Sequence, residues 1–301
     1  MFAPRYTIAA ARNNAAAATA RPKSQRHGHK DVSMKPAIFI LALLTLIPTL
    51  SHGRNLPEDS LSLPVLIVGN TGYAATGFYL TTTTSCFLVT AKHVLYQEDG
   101  STLRMDNITL LSYPVGMREY NQRIEFRVDL RLAASKKLIR ASSSHDVALV
   151  WIAKSQKTAP GEVQIVWGSP LTVKTTTNTS AIVITGLERL KSYTKTVEGD
   201  DAYVFGYPSS IGLKQIPWID YHLPLLRKGI IAGKNPSRRT IILDAPIYPG
   251  NSGGPVMEVE QIDALTTTYS VIGIVTDFVP FEEEWENKRF KYSNHTITNS
   301  G

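Results

Sequence analysis

Cysteine is almost missing from this sequence, and its scarcity closes off several chemistries at once. Cys86 is the single thiol in 301 residues, so the chain can form no internal disulfide and assemble no thiolate metal site. No His-Glu-x-x-His segment occurs either. No metal and no cofactor is expected. Cys86 lies in an apolar stretch seven residues before His93 and reads as a small buried hydrophobe. Sustained 3.6-residue periodicity is lacking too, with 282–290 the one segment that approaches it. Also absent is an apolar run of the roughly 20 residues that a helix needs to span a bilayer.

The basic excess is only nominal. Formal net charge is +7, from 32 Lys/Arg and 25 Asp/Glu. Seven of those basic residues and one acid precede Arg54, which leaves 25 basic against 24 acidic in 54–301. A nearly neutral chain offers no electrostatic footprint for nucleic acid or an anionic membrane, so neither partner is expected.

The segment 1–53 reads as a leader. Its apolar stretch 37–50 (AIFILALLTLIPTL) is preceded by Met34-Lys35 and followed by Ser51-His52-Gly53, with small residues at both recognition positions of a cleavage site. That is a secretory signal peptide, giving Arg54 as the mature N-terminus and export to a periplasm or the medium. Two readings compete for 1–33: a start placed upstream of Met34, or an organelle-type presequence. The cleavage signal that follows favours the first.

Strand signals dominate the rest. Segments 64–69, 77–82, 85–91, 108–112, 124–132 and 147–152 are short, rich in β-branched and aromatic residues, and broken by Gly, Asn, Asp or Pro. A second set covers 163–167, 181–185, 202–206, 225–232, 240–243 and 269–278. Two groups of about six strands, divided near 155–162, point to an all-β fold of two antiparallel barrels. The N-terminal barrel would take about 62–155, the C-terminal barrel about 162–280, and 281–301 would be a polar tail.

The chemistry concentrates in Pro249-Gly250-Asn251-Ser252-Gly253-Gly254-Pro255. Glycines at 250, 253 and 254 around one serine form a tight turn that exposes the hydroxyl and frees backbone N–H groups. A serine hydroxyl needs a base within hydrogen-bond reach, and imidazole is the side chain whose ordinary pKa lies near 7. His93 ends the apolar segment Leu88-Val89-Thr90-Ala91-Lys92-His93, while Asp146 opens Val147-Ala148-Leu149-Val150. The pattern Gly-x-Ser-x-Gly also occurs in α/β-hydrolases, but that fold needs Asp and His after the serine with further strand–helix units. Strands and a polar tail follow Ser252, so that reading fails.

The order His, Asp, Ser and the three motifs resemble the trypsin-like serine peptidases, a resemblance covering most of 62–280. Asn251-Ser252, Phe205-Gly206-Tyr207-Pro208 and Asp244-Ala245-Pro246 are similar to the exported bacterial HtrA-like branch, and no PDZ domain is expected here. The resemblance implies a chymotrypsin-like double barrel with the active site in the cleft between barrels. It implies an exported serine endopeptidase acting on proteins or peptides, with His93 as general base, Asp146 orienting it and Ser252 as nucleophile. His145 is a rival base on paper, but on a strand it would point away from its neighbour's face. The N–H groups of Gly250 and Ser252 would form the oxyanion hole. By the same resemblance Tyr248, Thr276, Asp277 and Phe278 contact substrate, and the Thr276 hydroxyl supports Asp146. A bulky Phe278 would make the primary pocket shallow, which favours a small or medium aliphatic P1 residue. The competing reading is a catalytically weak trypsin-fold protein that holds extended peptides.

Overall fold

The computed structural model describes residues 56–299 apart from 71, 117–121, 160–161, 169–170, 174–181, 208–219, 221, 264–265, 279 and 288–291. The leader expected at 1–53 lies outside the described residues.

Among the described residues, ten strands form one sheet: β1 (Pro64–Gly69), β2 (Ala74–Thr81), β3 (Ser85–Thr90), β4 (Asn107–Ser112), β5 (Ile124–Asp129), β6 (Ile139–Ala141), β7 (Ala148–Ala159), β8 (Glu162–Trp167), β9 (Leu171–Val173) and β10 (Thr185–Gly186). Its order is β6-β7-β3-β2-β1-β4-β5-β9, with β8 beside β7 and β10 beside β2. All pairings are antiparallel except that of β10 with β2. A second sheet holds β11 (Asp201–Gly206), β12 (Leu225–Asn235), β13 (Thr240–Asp244), β14 (Pro255–Gln261) and β15 (Thr267–Ile274) in the order β13-β12-β11-β14-β15. The all-β class and the two-sheet division of a chymotrypsin-like double barrel are both observed.

Three local features differ from the expectation. Strands β8, β9 and β10 lie beyond 160 yet join the first sheet, so the chain changes sheet between Gly186 and Asp201. The cause is β7, which continues through Ala159 and turns back on itself into β8. The alternating segment 124–132 is strand only to Asp129, whose carboxylate accepts the Leu132 N–H at 2.8 Å and starts the helix Leu130–Ser135. Finally, the described part of 282–290, residues 282–287, is strand and not helix: β16 (Pro280–Asn287) pairs along its length with β17 (Tyr292–Asn299).

The first sheet encloses a large apolar core that includes Val65, Ile67, Tyr79, Leu88, Leu110, Phe126, Val150 and Ile152. Cys86 belongs to it, fully buried, with its thiol pushed up to about 12 by desolvation. The reading of an inert small hydrophobe holds. The second core is smaller and centres on Ala202, Val204, Ile231, Ile247, Val256 and Val275. Tyr207, just past β11, packs against Leu66 and Leu111 of the first sheet and donates from its hydroxyl to the Pro64 carbonyl at 3.3 Å. That buried aromatic joins the two sheets.

Candidate active site

His93 stands in a single helical turn, Lys92–Leu95, directly after β3. Val94 and Leu95 are fully buried and anchor the turn, which leaves the imidazole half-exposed. Strand register brings in the carboxylate: β3 and β7 run antiparallel with Thr90 opposite Ala148, so the residues just before Ala148 meet those just after Thr90. Asp146 Oδ1 accepts the His93 backbone N–H at 2.9 Å, and Oδ2 lies 2.6 Å from His93 Nδ1. Burial pushes the Asp146 carboxyl up. The bonds from the His93 ring and backbone, with the Lys92 N–H, outweigh it and hold Asp146 below the ordinary value. An ionised Asp146 has no proton to offer, so Nδ1 carries the hydrogen and Nε2 keeps its lone pair in the neutral ring.

The serine turn is built by hydrogen bonds. The Asn251 N–H donates to the Tyr248 carbonyl at 3.0 Å, the Gly253 N–H to Val275 at 2.7 Å and the Gly254 N–H to Asn251 at 2.8 Å. Gly250 at φ 97° and Gly253 at φ 82° lie in the left-handed region that side chains disfavour. A Cβ at Gly253 would sit 2.1 Å from Thr90 Oγ1 and 2.2 Å from the Thr76 carbonyl oxygen. Backbone 253 thus presses on the strand end that leads to His93, with Ser252 one residue away. Among the described residues, the N–H groups of Gly250 and Ser252 have no hydrogen-bond partner.

Thr76, which the sequence reading passed over, ties this turn to the first sheet. It is fully buried on β2. Its N–H donates to the Ser252 carbonyl at 3.0 Å, and its hydroxyl donates to the Gly250 carbonyl at 2.7 Å while accepting the Tyr207 N–H at 3.0 Å. Thr90 Oγ1 completes the knot by donating to the Thr76 carbonyl at 2.8 Å. The available signal was a hydroxyl inside the apolar stretch Ala74-Ala75-Thr76-Gly77-Phe78.

The expected residues fall into three groups. His93 and Asp146 are bonded to each other, and Gly250 and Ser252 share the adjoining turn. Ser252 Oγ and His93 Nε2 make no hydrogen bond to each other. Thr276 is not among the partners of Asp146; it follows the end of β15 with Asp277 and Phe278, both exposed. Asp277 accepts the Phe278 N–H at 2.8 Å. The Tyr248 ring lies against the Arg227 guanidinium, 4.2 Å from centroid to Cζ. His145 is engaged elsewhere, with Ser144 Oγ at 2.8 Å and the Arg238 carbonyl at 3.1 Å.

The model of a family described as "trypsin-like peptidase domain" matches residues 75–262, which hold His93, Asp146 and Ser252. Similar solved structures include Deg5 (14% identity, 71% of this chain and 85% of that chain, TM-score 0.40). Another is the thermostable serine protease AL20 from an extremophilic microorganism (13% identity, 72% and 93%, TM-score 0.41). Human heparin binding protein is a third (13% identity, 73% and 90%, TM-score 0.39). No curated protein matches the chain.

Proposed function

Because this chain belongs to the trypsin-like peptidase domain family, we propose that it is an exported serine endopeptidase that cuts peptide bonds through His93, Asp146 and Ser252. One observation carries the reading: a carboxylate grips the His93 turn at two points, 2.9 and 2.6 Å, beside a glycine turn with two unengaged N–H groups. The two contacts to Asp146 occupy the His93 backbone N–H and Nδ1 and leave Nε2 available as a base.

In this reading His93 Nε2 takes the Ser252 proton as Oγ attacks the substrate carbonyl, and Asp146 stabilises the imidazolium without accepting its proton. The hydroxyl–imidazole hydrogen bond tightens when substrate arrives, as catalytic hydrogen bonds often do. The Gly250 and Ser252 N–H groups receive the oxyanion, each supplying on the order of 3–4 kcal/mol of transition-state stabilisation. His93 then protonates the leaving amine, and a water activated by His93 releases the acyl group from Ser252. The apolar segment at 37–50 supports export. Among the described residues, no helix is long and apolar enough to cross a membrane.

A fluorophosphonate probe tests this directly. Wild-type protein should be labelled and Ser252→Ala should not. Well-folded wild type that takes no label would favour the peptide-holding alternative.

A further inference from the structure

We propose that Arg227 reads an acidic side chain at the substrate's P1 position, which makes this a peptidase for glutamate or aspartate sites. The inference rests on the endopeptidase reading above and adds its substrate class. Arg227 lies on β12 opposite Val204, and Val204 lies opposite Val256, four residues past Ser252. Directly opposed residues of antiparallel strands share a face, and Val204 and Val256 are buried in the second core. The Arg227 side chain therefore leaves the sheet on the core side, where its guanidinium meets the Tyr248 ring at 4.2 Å. Tyr248 in turn opens the turn that delivers Ser252.

Among the described residues, a cation at that position has no anionic counterpart. Arg227 Nε is buried and has no hydrogen-bond partner, and among the described residues no carboxylate forms an ion pair with this side chain. The adjacent residue behaves in the opposite way: Lys228, on the other face, pairs with Asp201 at 2.7 Å. Arg227 is half-buried with Nε withdrawn from water and unpaired, which is unfavourable, and the π face of Tyr248 returns only part of that loss. A substrate carboxylate supplies the rest through two parallel N–H bonds, with the ring holding the guanidinium plane ready. A basic P1 residue is repelled, and an aliphatic one leaves the cation unpaired. Phe278, whose bulk favoured aliphatic residues in the sequence reading, is 40% exposed beyond the end of β15.

The test uses two peptides that differ only in Glu or Gln at the scissile position. Wild type should favour Glu by roughly 100-fold in kcat/KM. Arg227→Gln should bring that ratio to within about threefold of unity, and Arg227→Lys, which keeps the charge but loses the fork, should fall between. Equal use of both peptides by wild type, or a preference that survives Arg227→Gln, overturns the proposal. A wild type that neither cuts nor takes the fluorophosphonate defeats the endopeptidase reading alone. Calorimetric binding of the same peptides to Ser252→Ala protein then decides the acid site. Glu bound at least about tenfold tighter, with the difference lost on adding Arg227→Gln, sustains it; equal binding ends it.

Discussion

The two halves of the candidate site are held by different means. His93 stands just after β3 and Asp146 just before β7, neighbouring strands of a sheet whose inner face is one large apolar core. Ser252 rides on a turn attached to a sheet with a smaller core, where β13 has no fully buried residue and β12 only one, Ile231. The polar contacts differ correspondingly. In the first half, hydrophobic burial sets the strands and the polar pair follows from register. In the second, hydrogen bonds do much of the holding: two within the turn, one from Gly253 to Val275, two from Thr76 to the turn, and an ion-pair cluster that includes β14. In that cluster Glu258, buried on β14, pairs with Lys191 at 2.7 Å, and Lys191 also reaches Glu260 at 2.8 Å. Burial pushes the Glu258 carboxyl up even against the pull of Lys191. A small core thus works with polar contacts that fail abruptly when one partner is removed.

The sharpest separation of the halves comes from Asp146→Asn. The asparagine oxygen or amide can still meet Nδ1, but the imidazole loses its fixed tautomer, and kcat should fall about 10⁴-fold with the fold retained. The same variant reports on pH. Asp146 has a folded pKa below its unfolded one, so its ionised form stabilises the protein in full above about pH 4. That contribution disappears as pH falls through the lower folded value. Urea midpoints measured from pH 5 down to pH 2 should therefore drop less steeply in Asp146→Asn than in wild type. Parallel curves would show that the carboxylate contributes nothing through this pair.

Lys191→Met attacks the other half. It leaves Glu258 buried without its cation and should cost about 3–5 kcal/mol in denaturant unfolding. Lys191→Met with Glu258→Gln should recover much of that loss, whereas two independent, additive losses would contradict a coupled pair. The smallest expected effect lies at the joint. Thr76→Val removes the hydroxyl but keeps the shape, stranding the buried Gly250 carbonyl and Tyr207 N–H, for about 2–3 kcal/mol. Because those groups frame the proposed oxyanion donors, kcat/KM should fall roughly 10–100-fold, and Thr76→Ser should restore most of both. Stability lost with activity intact would reduce Thr76 to a structural residue.

Much of this was legible in the order of residues. β-Branched segments broken by Gly and Pro marked the strands, because strand formation depends on a local two-residue period. Glycines at 250 and 253 announced a tight turn, and the structure adds that both adopt left-handed backbone, at φ 97° and 82°. Asp129 shows where local reading slipped: alternation suggested a strand through 132, yet one capping carboxylate was enough to turn the chain into a helix. The hub at Thr76 escaped notice because a lone hydroxyl in an apolar strand has no local signature. Its partners stand as many as 176 residues away, at Ser252.

The amino-acid order by itself determined the β class, the serine turn and the approach of an apolar strand to His93, since each depends on neighbours within a few residues. Only the tertiary structure decided that Asp146 grips the His93 backbone as well as its ring. It also decided that Thr76 binds the serine turn, and that Arg227 comes to rest on Tyr248. Those contacts join residues distant along the chain, and strand register and the packing of two cores alone bring them within hydrogen-bonding reach.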